Sequence, residues 1–346
     1  MFKDISLEEL FTKQKNGVTV VDVRSPSEHK DAKIPWSINI PVFDDRERAE
    51  VGTLYKQAGP EAAKERGIEI ISRKLPSFVK QCEAIKGEKV VYCWRGGMRS
   101  KIAATMIDLA GTTAHRLSGG FRTYRNWVVD TLNNMDFKPT FYVLNGFTGI
   151  GKTKILQQLK DEDYPVIDLE KMAQHRGSIF GQIGLEPNNQ KTFDSLLVHE
   201  LIRYQDAPFV LIEGESKRIG KVLLPDFLLQ KKNEGIQLYI ELPIEERVKQ
   251  ILEDYSPDEH REECLSAFQR IKKRIHTPIA KEIEEDLLNG SFDVAVRLLL
   301  EYYYDPRYKH SISQYADEKT IIIKARNKHE AVEKVKSACH SPSFGE

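Results

Sequence analysis

Short, unbroken runs of apolar residues recur along the chain, separated by longer stretches of mixed character. Residues 18–23, Val-Thr-Val-Val-Asp-Val, are β-branched and continuous, which predicts a strand buried on both faces. Residues 37–41 predict a second short strand and residues 89–92 a third. Residues 75–85 carry apolar positions at helical spacing, and a further helix is predicted from Ser100 to Leu109. The polar, proline-ended segment 133–139 marks a boundary. Beyond it, strands are predicted at 140–144, 165–168, 209–213 and 237–241, with a helix over 154–159 following the first. Strands alternating with helices predict a doubly wound parallel sheet. From about Ile244 onward the pattern is mostly helical and dense in charge. The expectation is an α/β chain with one domain over 1–134 and a second over 135–346, the latter ending in a helical part.

Composition narrows the class without naming it. The chain has 346 residues, 40% hydrophobic and 30% charged, enough for two separate cores. A formal net charge of zero gives no global attraction to nucleic acid, so any RNA contact must use local basic patches. The four cysteines, Cys82, Cys93, Cys264 and Cys339, form no Cys-x-x-Cys pair and no zinc spacing, which points to a reducing, cytoplasmic setting. The acidic first ten residues do not read as a signal peptide, and no run approaches the roughly 20 apolar residues of a membrane helix. No membrane partner is therefore expected.

Two short strings carry the chemistry. Cys93-Trp94-Arg95-Gly96-Gly97-Met98-Arg99-Ser100 places a thiol between a predicted strand and a predicted helix. A helix N-terminus presents unpaired amides and positive potential, and arginines add to both. A cysteine acts as nucleophile in its thiolate form, which such surroundings favour. Cys93, Arg95 and Arg99 are the expected catalytic residues, with Trp94, Gly96, Gly97, Met98 and Ser100 completing an anion loop. Cys82 reads as packing, while Cys264 and Cys339 have no motif around them.

The second string is Gly146-Phe147-Thr148-Gly149-Ile150-Gly151-Lys152-Thr153, which fits the phosphate-binding pattern G-x-x-x-x-G-K-[ST]. Gly146, Gly149 and Gly151 let backbone amides wrap phosphate, Lys152 reaches terminal phosphates, and Thr153 is placed to bind Mg2+. Asp168, Glu213 and Glu215, at predicted strand ends, are candidates for a metal-holding or basic role, although no metal site is certain. His175-Arg176-Gly177-Ser178 and Lys217-Arg218 also follow strand ends and are candidates for phosphate or RNA contact. Two later segments, a basic helical stretch at 270–276 and the Tyr- and Arg-rich 301–310, suit RNA stacking or a packed core equally.

Wider matches name a family. Val21-Asp22-Val23-Arg24, residues 28–35, Ile38-Asn39-Ile40-Pro41 and Leu117-Ser118-Gly119-Gly120-Phe121 together with the cysteine loop resemble the rhodanese fold. In many single-domain rhodaneses the loop arginine comes five positions after the cysteine; Arg99 comes six after Cys93. Cys-x5-Arg is the spacing of phosphatases, including rhodanese-fold ones, and suits a tetrahedral phosphate-like group. With the P-loop string, His-Arg-Gly-Ser and Tyr-Tyr-Asp-Pro-Arg-Tyr following in order, the whole chain resembles the tRNA 2-selenouridine synthases.

That resemblance implies a two-step change at the wobble uridine of tRNA. 2-Thiouridine is S-alkylated by geranyl diphosphate, then selenium from selenophosphate replaces the geranylthio group. It further implies a Cys93 selenium carrier, an S-selanylcysteine intermediate, and no tightly bound cofactor. The implied partners are tRNA, geranyl diphosphate and selenophosphate, the last with its synthase as a delivering partner. Two other readings stay open on the residues alone: a phosphatase built on Cys93-x5-Arg99, and an ATP-dependent kinase or switch with an inert rhodanese module.

Overall fold

The computed structural model describes residues 2–307 and 319–340. The chain divides into two compact units, Met1–Asn134 with Asp194–Leu196, and Met135–Phe193 with Leu197–Glu346.

The first unit is built on five parallel strands: β1 (Lys3–Ile5), β2 (Thr19–Asp22), β3 (Ile38–Asn39), β4 (Lys89–Tyr92) and β5 (Ala114–Leu117), in the order β1-β5-β4-β2-β3. Val20, Val21, Val90 and Val91 are wholly buried, so the β-branched runs fill both faces of the sheet centre. Serine and glutamate form a capping box at the first helix, Leu7–Lys15, through Ser6 and Glu9. The helix expected at 75–85 is the second half of a longer one, Pro60–Glu83, which follows another, Asp45–Gln57. The first of these buries no residue and the second only Ala63, Gly67, Ile70, Ile71, Phe78 and Cys82, so their apolar periodicity is thin.

Backbone contact fixes the end of β4. Phe121 N donates to Cys93 O (2.8 Å) and Arg122 N to Trp94 O (3.0 Å), so the turn at Gly119-Gly120 lies directly against the cysteine loop. Gly120 has φ +59°, and a Cβ there would lie 2.3 Å from Cys93 O and 2.6 Å from Gly96 N. Both the left-handed conformation and the close approach demand glycine.

In the second unit the sheet is again five parallel strands, in the order β12-β11-β6-β8-β7. They are β6 (Thr140–Gly146), β7 (Val166–Ile167), β8 (Phe209–Glu213), β11 (Ile236–Glu241) and β12 (Thr320–Lys324). A small antiparallel hairpin, β9 (Arg218–Ile219) with β10 (Val222–Leu223), precedes β11. Helices Ile244–Tyr255, Arg261–Gln269, Thr277–Asn289 and Phe292–Leu299 make the helical part, and an apolar cluster including Phe268, Ile271, Ile283, Leu287, Phe292 and Leu299 packs within it.

The region after Ile244 is mostly helical, with β12 returning to the sheet edge, Ile322 exposed and Ile323 buried. One expectation needs correction: 270–276 is not a basic helix. The helix stops at Gln269, a 3₁₀ turn covers Lys272–Arg274, and Ile271 and Ile275 turn inward. Pro278, in the first turn of the next helix, cannot lie inside a continuing one. Of 301–310, residues 308–310 lie outside the described residues, and Leu300–Tyr304 form a π-helical turn. Among the described residues no helix is long and apolar enough to cross a membrane.

Gly120→Ala is expected to destabilise the first unit by about 2–4 kcal/mol, from a left-handed alanine and a backbone collision. Urea unfolding measures it; an unchanged midpoint would mean that the cysteine loop does not depend on this contact.

Candidate functional site

Each unit carries one loop of interest, at the C-terminal end of the middle strand of its sheet. In the first unit, Cys93 leaves β4 and is buried. Its Sγ accepts from Gly97 N (3.2 Å) and lies 3.2 Å from Ser100 Oγ. The Ser100 hydroxyl has Gly97 O as its other neighbour, also at 3.2 Å. Its single proton therefore serves either the sulfur or the loop carbonyl. The helix Met98–Leu109 starts at this point, so its first amides face the loop.

A buried ion pair supports the loop from behind. Arg24, wholly buried, pairs with Asp22 (2.6 Å), which also takes His29 Nδ1 (2.9 Å). The Arg24 guanidinium lies 4.3 Å from the Phe121 ring centre and 5.9 Å from that of Trp94. The loop arginines differ from one another. Arg95 is exposed, whereas Arg99 is turned onto Glu28, with contacts of 2.5 and 3.2 Å. Burial opposes ionisation of Glu28, but Arg99 outweighs it and holds the carboxyl below its ordinary range. A groove of about 860 Å³ opens over Cys93, walled by the loop and by Arg48, Tyr55, Lys56, Lys64 and Ile68 of the two helices that sequence reading largely missed. Trp94 and Met98 are exposed in it.

In the second unit, β6 runs into Gly146–Thr153 and the helix Lys152–Asp161. Gly149 has φ +85°, and a Cβ there would sit 2.9 Å from Arg247 O. Arg247 itself braces the loop: Nε donates to Thr148 O (2.8 Å), and its other nitrogens bond Asp305 at 2.9 and 2.6 Å. Lys152, Thr153, Asp168, Glu170, Arg176, Glu215, Tyr303 and Arg307 line a cavity of about 610 Å³ beside the loop.

The expected carboxylates have distinct positions. Asp168 caps the short helix Leu169–Ala173, accepting from Lys171 N (2.8 Å). Glu213 is wholly buried and accepts from Leu169 N (2.7 Å) and Glu170 N (3.1 Å). Burial, and then the neighbouring carboxylates, push its pKa far up. Glu215 lines the cavity, and its carbonyl accepts from Lys232 Nζ. Burial lowers the Lys232 pKa to about 8. The carboxylate nearest the loop is Glu170, which accepts from Thr153 Oγ1 (2.7 Å). Its pKa is raised to about 7, by burial first and by Glu215 next.

For Mg2+, the donors fit a shared site rather than a complete one. Among the described residues no cluster of three or more His, Cys, Asp or Glu side chains is placed to hold a metal ion. Mg2+ keeps water and takes phosphate oxygens readily, so Thr153 and Glu170 would hold it together with a bound diphosphate. Bound there, it would neutralise charge on phosphate oxygens.

An apolar slot, about 60 Å³, adjoins the P-loop cavity. Thr148, Ser178, Ile251, Tyr255 and Tyr304 line both spaces, so the two share a wall. Farther in, the slot is walled by Cys264, Leu287, Phe292, Val296 and Leu299 of the helical layer.

Comparison with known proteins decides the family. Residues 139–341 match the tRNA 2-selenouridine synthase AAA domain, and residues 6–126 match the rhodanese-like domain. Among curated tRNA 2-selenouridine synthases, that of Sulfurovum sp. is 32% identical, covering 87% of this chain and 90% of its own. That of Nitrosomonas europaea is 29% identical and that of Bdellovibrio bacteriovorus 30%, each over 90% of this chain and 93% of the relative. The chain belongs to the tRNA 2-selenouridine synthase family. As a member of that family, it is an α/β protein with a rhodanese-like domain and a P-loop-like domain.

Other sequence candidates separate clearly. Arg176, Gly177 and Ser178 join the wall of the P-loop cavity; Arg176 stacks 4.9 Å from the Tyr255 ring centre, and Ser178 meets its hydroxyl at 3.2 Å. Lys217 pairs instead with Asp226, and Arg218 lies in β9. Cys82, Cys264 and Cys339 are all buried, and burial raises their thiol pKa values to about 11, 11 and 12. Of the residues sequence reading missed, Glu170 had a faint signal, lying two positions after Asp168. Asp305 lay inside the Tyr-Tyr-Asp-Pro-Arg-Tyr string, and Arg247 had none.

Glu170 makes stability depend on pH. In the unfolded chain it ionises near its ordinary value of 4.5, and in the folded protein near 7. Between these values the folded state holds a proton that the unfolded state has lost. Stability therefore falls as pH rises through this window, by up to about 2–3 kcal/mol. Melting curves from pH 5 to 8 are expected to drop by several degrees for the parent protein and to drop less for Glu170→Gln, in which Glu213 still contributes. Parallel curves for the two proteins would remove Glu170 as the cause.

Proposed function

We propose that this protein converts 2-thiouridine in tRNA to 2-selenouridine in two steps: S-geranylation served by the P-loop unit, then selenation served by the Cys93 loop. The supporting observation is an apolar slot that shares a wall with the cavity beside Lys152. A polar loop with Lys152 suits a diphosphate, and the hydrocarbon-lined slot beside it, about 60 Å³, suits the character of the tail but takes its full length only if the walls part. A nucleotide base would leave its polar edges unpaired there.

In the first step, the thiocarbonyl sulfur bonds the allylic carbon of geranyl diphosphate as the carbon–oxygen bond breaks. Diphosphate leaves with the electron pair, and the uridine ring loses its N3 proton. Lys152 and the amides of the glycine loop stabilise charge growing on the leaving oxygen. The product carries a better leaving group at C2. In the second step selenium bonds C2 and the geranylthio group departs. The arginines over Cys93 suit an anionic selenium donor, and the wide groove suits an RNA base. Selenophosphate is the donor in this reading, supplied by the enzyme that makes it.

Nucleoside mass spectrometry of 2-thiouridine tRNA treated with geranyl diphosphate and selenophosphate, each omitted in turn, tests the scheme. S-geranyl-2-thiouridine is expected without selenophosphate, and 2-selenouridine with both. Cys93→Ala is expected to stop at the geranylated nucleoside, and Lys152→Ala to lose about 10²-fold or more in geranylation rate. No modified nucleoside under any condition would sink the reading.

The slot has its own test. Val296 is half-buried in its inner wall, and Val296→Phe shortens it. The variant is expected to use dimethylallyl diphosphate as the parent does, but to lose about tenfold or more with geranyl diphosphate. An unchanged chain-length profile in a folded variant would place the tail elsewhere.

A further inference from the structure

Resting on the selenation reading above, we propose that the Cys93 thiolate attacks the phosphorus of selenophosphate, forming a phosphocysteine and releasing selenium as hydrogen selenide anion. Cys93 in this scheme activates the donor instead of carrying selenium on its sulfur.

Electron counting sets the direction. Selenium in selenophosphate already stands at the selenide level, bonded to pentavalent phosphorus. Placing it on a thiolate as S–Se while releasing phosphate removes two electrons, and no oxidant belongs to the reaction. Attack on selenium without an oxidant would expel phosphorus at the phosphite level instead. Attack on phosphorus needs neither. The S–P bond forms, the P–Se bond breaks, and HSe⁻ leaves with the electron pair. Water then attacks the phosphocysteine phosphorus, the S–P bond breaks, and dihydrogen phosphate and the thiolate are regenerated. The released HSe⁻ adds to C2 of S-geranyl-2-thiouridine; geranylthiolate departs, and the selenide proton ends on N3.

The loop is built for this bond. Arg99 follows Cys93 by six positions, the Cys-x5-Arg spacing of phosphatase loops, and its guanidinium lines the groove while resting on Glu28. Ser100, directly after Arg99, lies 3.2 Å from Sγ, where its hydroxyl can donate to sulfur as the S–P bond breaks. Gly97 N already donates to the same sulfur. Monohydrogen selenophosphate brings the proton that leaves on selenium, and HSe⁻ is a weak base, so the first step asks for no separate general acid.

Full-length protein mixed with 32P-labelled selenophosphate and quenched in denaturant at neutral pH distinguishes the two bonds. A phosphoryl group and a selenium atom add nearly equal mass, so 32P and elemental selenium are both counted on the Cys93 peptide. The expected result is 32P without selenium on the parent, absent in Cys93→Ser. In Ser100→Ala, labelled peptide accumulates and phosphate release slows about tenfold or more, while the first release of selenide remains. Selenium without 32P on Cys93, in a parent that makes 2-selenouridine, overturns this step and leaves the selenation reading standing. So does 2-selenouridine formation with neither label on the parent or on Ser100→Ala. A parent that makes no 2-selenouridine from S-geranyl-2-thiouridine tRNA overturns the selenation reading and this step with it.

Discussion

Both loops exist because a buried parallel strand hands its chain straight to a helix N-terminus. The middle strands β4 and β6 have neighbours on both sides, so their backbone groups are satisfied up to the last residue. The amides that follow have no intrahelical partner and must find an acceptor. In the first unit the Cys93 sulfur takes one of them; in the second they gather at the glycine loop, which on the proposed scheme receives the diphosphate. The price is close backbone approach, met by glycine at Gly120 and Gly149. Everything else in either site is an arrangement around these amides.

Charge around the two loops is arranged in opposite ways. Over Cys93, arginine predominates: Arg95 is exposed, Arg48 lines the groove, and Arg99 is held by one carboxylate, Glu28. Such a surface favours an incoming anion, which would compete with Glu28 for Arg99. Behind the P-loop, acid predominates. Glu213, Asp168 and Glu170 crowd a buried space, and burial raises the pKa of each. Such carboxyls, when ionised, favour a cation over a diphosphate, and on the proposed scheme Lys152 and Mg2+ would accompany the anion.

Sequence reading recovered what is contiguous and lost what is not. Cys93–Ser100 and Gly146–Thr153 are single strings whose geometry is set by neighbours in the chain, and their strand–loop–helix contexts follow from β-branched runs. The helices Asp45–Gln57 and Pro60–Glu83 were largely missed because the first buries no residue and the second only a thin stripe. Yet they wall the groove over Cys93. Glu28 with Arg99 and Arg247 with Asp305 pair residues 71 and 58 positions apart, a relation no local pattern carries. The slot was equally hidden: its walls come from separate helices whose apolar faces read as ordinary core.

The chemistry gives a reason for two dissimilar loops in one chain. On the proposed scheme, alkylation spends a diphosphate to make C2 electrophilic, and the species that must then arrive is a nucleophile at the selenide level. A donor that delivered selenium as an electrophile would face an electron-poor carbon and stall. Cleaving selenophosphate at phosphorus yields selenium in the form the alkylated base can accept. The loop spacing and the Ser100 hydroxyl are features of phosphoryl chemistry, and they become intelligible if phosphorus is the atom attacked. An anion cradle for diphosphate and one for a tetrahedral phosphoryl group then serve successive halves of a single substitution at C2.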